Sequence, residues 1–154
     1  MKTFALARVL QLAERRSETL SRSVKLAHGI WLRARGRQVQ LIALRDARIA
    51  QLAGELRAGV TAARLQETNR LQQVQAAEMR AAQADIDAAH QAWQARLAEW
   101  MQVEQRVKAL RLLEQRHLAH LAVQQRRTEQ REHDELVELM HRREAGTREA
   151  WDAA

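Results

Sequence analysis

Histidines and densely mixed charges crowd the last third of the chain. His117 and His120 are three residues apart, and His133 and His141 eight apart, so each pair falls on one side of a helix. Histidines one turn apart can begin a zinc site, but zinc needs three or four converging ligands. No cysteine supplies a thiolate, and no pair has the spacing of a zinc protease. These histidines therefore read as a solvated helix face, and no metal site is expected. No serine stands in a recognisable order with a histidine and an acid. Gly29, Gly36, Gly54, Gly59 and Gly146 are isolated, so no glycine-rich loop can cradle phosphate. Neither catalytic residues nor a cofactor site are expected, and the chain is not read as an enzyme.

The histidines belong to a stretch, Trp100 to Leu136, without Gly or Pro. Apolar residues recur in it at near-heptad spacing: Trp100, Val103, Val107, Leu110, Leu113 (or Glu114 in its place), Leu118 and Leu121. Its last third is polar and charged but still rich in helix formers. That pattern predicts a helix with a packed shaft and an exposed working end.

Composition points the same way. Across 154 residues there is no Pro, Tyr or Cys, only one Phe and five Gly. Ala, Leu, Gln, Glu and Arg dominate, the profile of a coiled coil. Two helices need only a thin seam, which this many apolar residues can fill. Residues 1–60 hold 12 Lys/Arg against 4 Asp/Glu, and residues 61–154 hold 14 against 15. The first part is thus about +8 and the second about −1, so two helices built from them attract. Of the 26 basic residues 23 are Arg, whose forked donors suit carboxylates and hence acidic protein partners. The pI of about 11.2 makes a basic nucleic-acid-binding coiled coil the alternative. Interspersed Arg and Glu, and the lack of an aromatic cluster for base stacking, point away from it. No run of about 18 apolar residues exists to span a membrane. The amphipathic start lacks a signal-peptide core.

In chain order, residues 4–56 read as one long helix. Leu6, Leu10, Ala13, Ser17, Leu20, Val24, Ala27, Trp31 and Ala34 alternate spacings of four and three, a coiled-coil seam broken only by Ser17. The stripe then slips by four near Gln38 and resumes at Ile42, Ile49, Leu52 and Leu56, a stutter that locally unwinds the supercoil. Residues 57–61 are the turn: Gly59 can take positive φ and Thr61 can cap the next helix. Residues 62–92 carry too thin a stripe to pack well and read as a short helix or protruding tip. Residues 93–145 form the second long helix and 146–154 a frayed tail. The fold class is all-α, a long antiparallel two-helix coiled-coil hairpin in a single domain spanning 1–154. Trp31, Trp93 and Trp100 fall on or near the seam, whereas Trp151 lies in the tail.

Three stretches of this sequence resemble the FliJ family of flagellar type III export proteins and its SctO (YscO) injectisome relatives. They are Phe4-x-Leu6 through Leu10-x-Leu12-Ala13-Glu14, then Ala58-Gly59-Val60-Thr61 followed by Arg64, then the gapless block Trp100 to Leu136. The third is the most specific. Arg127-x-Glu129-Gln130-Arg131-x2-Asp134-Glu135 resembles the family's R-x-E-Q-K-x2-D-E signature, with Arg131 in the Lys position.

The resemblance implies a non-enzymatic central stalk, similar to that of rotary ATP synthases. Such a protein links the hexameric export ATPase to the cytoplasmic domain of the export-gate membrane protein and escorts export chaperones. It implies a cytoplasmic location, peripheral to the apparatus at the inner membrane. Arg127, Gln130, Arg131, Asp134 and Glu135 are the implied partner-binding run. The family's gate-contacting positions match Leu71, Gln75, Glu78 and Ala82. Since only the first is a good apolar anchor, Leu71, Val74 and Met79 are the expected gate contacts.

Overall fold

The computed structural model describes residues 4–153. Two α-helices account for nearly all of them: α1, Ala7–Ala58, and α2, Ala62–Asp152. Three residues join the helices, which form an all-α hairpin. Gly59 has φ of +92°, a conformation that an L side chain disfavours. The Thr61 hydroxyl accepts the Arg64 backbone N–H at 3.3 Å, which satisfies one of the open donors of the first turn of α2.

Helix α2 is unbroken. Residues 62–92 are not a separate short helix, and helix continues through the expected tail to Asp152. Ala154, the end of that tail, lies outside the described residues. The thin stripe suffices because its members are buried: Ala82 is 4% exposed and Ile86 9%.

The chain divides into two compact units, Leu12–Arg106 and the pair Met1–Gln11 with Val107–Ala154. Within Leu12–Arg106 the two helices pack antiparallel in one register. Ser17 meets Glu104, His28 meets Trp93, Trp31 meets His90 and Gln38 meets Gln83; the residue numbers of every pair add to 121. The half-buried positions of α1 continue through Gln38, Leu41, Ile42, Arg45, Leu52 and Glu55, and all but Ile42 keep step with the 4,3 spacing before them. The expected stutter near Gln38 is therefore absent. Polar side chains occupy the seam there, while Ile49 and Leu56 are exposed. Gln38 keeps its place because its amide donates to Gln83 Oε1 at 2.6 Å, which satisfies a group that burial would otherwise penalise.

Ser17 is a seam residue in the same way. It is 7% exposed, and its hydroxyl donates to the Glu104 carboxylate. The Trp100 indole Nε1 is buried without an acceptor. In the other unit Leu10, Val107 and Leu110 form the buried core, and the Phe4 and His117 rings lie 5.7 Å apart.

Candidate partner-binding surfaces

Beside the turn, α1 and α2 leave a groove of about 660 Å³. Ile49, Leu52, Leu71 and Met79 supply its apolar lining, and Arg45, Arg48, Arg64 and Arg80 surround it with positive charge. Glu55 is the acid among the lining residues. It accepts both Arg64 Nε and Nη2, at 3.2 and 3.0 Å, and Gln51 Nε2 at 3.1 Å. The Arg64 hydrogen bonds, then that from Gln51, hold the Glu55 carboxyl below the usual carboxylate range. Arg64 also reaches Glu67 at 3.2 Å.

The expected gate residues divide between two faces. Leu71 and Met79 line the groove, whereas Val74, 53% exposed, does not. Of the four positions implied by the resemblance, Gln75 and Ala82 are buried at 5% and 4%. Gln75 lies in the lining of the groove, whereas Ala82 packs in the hairpin; Leu71 and Glu78 remain exposed.

After Leu121 every described residue of α2 is exposed. At 100° per residue, Arg127, Gln130, Arg131, Asp134 and Glu135 share one face of this segment. Gln130 Nε2 donates to Asp134 Oδ1 at 2.8 Å, one turn on. Leu136, Leu139 and Met140 lie on the opposite face, 57–66% exposed. His120 bonds Gln124 at 2.9 Å, and His141 lies 3.9 Å from Glu144. No group of three or more acids and histidines that could hold a metal occurs among the described residues. No helix among them is long and apolar enough to cross a membrane.

Residue types alone did not single out His28 and His90. Each stands three before a tryptophan, His28-Gly29-Ile30-Trp31 and His90-Gln91-Ala92-Trp93, and the hairpin brings the two motifs together. Trp31 and Trp93 stack, each histidine packs against the tryptophan of the other helix, and Arg35 lies 5.0 Å over the Trp31 ring. The repeated spacing was the available signal.

The described residues define an all-α helical hairpin with exposed polar and apolar faces. Residues 1–146 match the family described as Flagellar FliJ protein, and the chain belongs to that family. Neither curated proteins nor solved structures gave a match.

Proposed function

We propose that the chain is the non-enzymatic central stalk of a flagellar type III export apparatus. It links the hexameric export ATPase to the cytoplasmic domain of the export-gate protein and escorts export chaperones. Membership of the FliJ family over residues 1–146 carries this reading. The placement of the exposed signature run on one face of α2 agrees with it. In this reading Arg127, Gln130, Arg131, Asp134 and Glu135 bind the ATPase, and Leu71 and Met79 seat the gate in the groove, with Val74 beside it. The protein works in the cytoplasm, peripheral to the inner membrane.

Reversing charge at Arg127, Arg131, Asp134 and Glu135 tests the first contact. All four are exposed, so helicity should survive. Affinity for the purified ATPase should fall at least about tenfold, or 1.4 kcal/mol, and export should fail. Unchanged affinity and export would remove the assignment. Leu71→Asp with Met79→Asp should weaken gate binding and leave ATPase binding intact.

A further inference from the structure

The exposed side of α1 carries a strip whose composition the hairpin seam does not use, although Glu18, Arg22 and Lys25 also line a shallow hollow with Trp100 and Glu104 of α2. In the heptad frame of the seam, the outward positions between 12 and 39 include Leu12, Leu26, Leu32 and Val39, which are 49–69% exposed. Arg15, Arg22, Lys25 and Arg33 stand among them, with Glu18 as the acid of the strip, and all five are exposed. Gly29 and Gly36 lie along its centre. Glycine inside a helix costs about 1 kcal/mol relative to Ala, yet a Cβ at Gly36 would meet nothing within 4 Å, and one at Gly29 only the end of the Arg33 side chain. Packing within the chain therefore does not call for either glycine. A low ridge flanked by leucines and bases is what a second helix needs to approach closely.

The same chain carries two acids, Glu129 and Glu132, one turn apart on an exposed apolar face of α2. Glu129, Glu132, Leu136, Leu139 and Met140 share one side of α2, opposite the signature face, and all are exposed. The two strips match in parallel register. With Glu129 set against Arg22, Glu132 falls against Lys25, Leu136 over Gly29 and Leu139 against Leu32.

We propose that the outward face of α1 binds the Glu129–Met140 face of a second copy of this chain, with acids on bases and Leu136 seated at Gly29. The contact is independent of the stalk reading, because it needs no other protein and uses the side of α2 opposite Arg127 and Arg131.

The test is sedimentation velocity on the full chain over a range of concentration and salt. The wild type should self-associate reversibly, and more weakly as salt rises. Arg22→Glu with Lys25→Glu, and separately Glu129→Arg with Glu132→Arg, should each raise the dissociation constant at least about tenfold. An equimolar mixture of the two variants should recover association, because each altered face then meets its complement. Gly29→Gln, at the seat of Leu136, should raise helix stability and still reduce association. A wild type that stays monomeric, as expected if the α1 face serves a different acidic partner, overturns the proposal. So do charge variants that associate like the wild type, a mixture that fails to recover, or unchanged association of Gly29→Gln.

Discussion

Trp31 of α1 and Trp93 of α2 stack with ring centroids 5.1 Å apart and planes inclined by 15°. His90 lies 5.4 Å from the first ring and His28 4.9 Å from the second. Four rings thus interlock at one level of a seam that elsewhere holds aliphatic, small and hydrogen-bonded polar residues. Aromatic pairs contribute about 0.5–1.5 kcal/mol beyond the area they bury. A double-mutant cycle on Trp31→Ala and Trp93→Ala should give a coupling energy in that range. Since both residues are half-buried, each single change should cost less than the roughly 3–5 kcal/mol of a fully buried tryptophan. Urea unfolding followed by circular dichroism measures both, and additive losses would mean that the stack contributes only area.

The Ser17 hydroxyl donates to Glu104 from a position where a coiled coil usually places an aliphatic residue. Both partners sit in or beside the seam. Ser17→Ala should destabilise the hairpin by about 1–2 kcal/mol, because a hydrogen bond to a charged group is lost and the carboxylate keeps less compensation. Changing Ser17 to Ala and Glu104 to Leu together should recover much of that loss, since neither substitution leaves an unpaired polar group. The urea midpoint of the double variant relative to Ser17→Ala decides the point.

The two-helix hairpin was legible in the sequence because its determinants are local. Gly59 and Thr61 carry the turn in their own backbone and side-chain chemistry, and the 4,3 spacing from Leu10 to Ala34 needs no partner to be read. Past Ala34 the seam changes character. Gln38 is acceptable there only because Gln83, 45 residues away, accepts its amide hydrogen, and no count of apolar residues can supply that fact. The apparent slip to Ile42 and Ile49 followed the hydrophobic residues, while the backbone kept its register. Residues 62–92 were underrated for a related reason. Burial of Ala82 and Gln75 depends on how closely α1 approaches, which composition does not encode. The signature run was legible as an exposed face because five charged and polar residues at helical spacing cannot be buried without partners.

Gly59 is the one position with positive φ among the described residues, and a Cβ added there would meet nothing within 4 Å. Backbone conformation alone therefore opposes substitution. Gly59→Ala should cost about 1 kcal/mol or slightly more, and Gly59→Asn less, because Asn tolerates the left-handed region better. Thermal unfolding of the three proteins should rank Gly, Asn, Ala. Equal midpoints would mean that the turn relaxes to negative φ.

Glu55 and Arg64 close the turn end of the hairpin through two hydrogen bonds. The Arg64 contacts, followed by that of Gln51, lower the Glu55 pKa, and its acid partners Glu55 and then Glu67 raise that of Arg64. A carboxyl with a depressed folded-state pKa stabilises the fold above its unfolded pKa and loses that contribution as pH falls through the folded value. Local order at the turn should therefore be constant near neutrality and decline in mildly to strongly acidic solution. The decline should be modest, because the pair is solvent-screened. Glu55→Gln should remove the acid-dependent part while leaving the remaining pH profile in place. Carboxyl-detected NMR titration gives the Glu55 pKa directly, and amide exchange at Gly59 to Leu65 reports the turn. A Glu55 pKa at the ordinary carboxylate value, or a turn whose exchange follows the same acid profile in Glu55→Gln, would show that the ion pair does not hold the hairpin end.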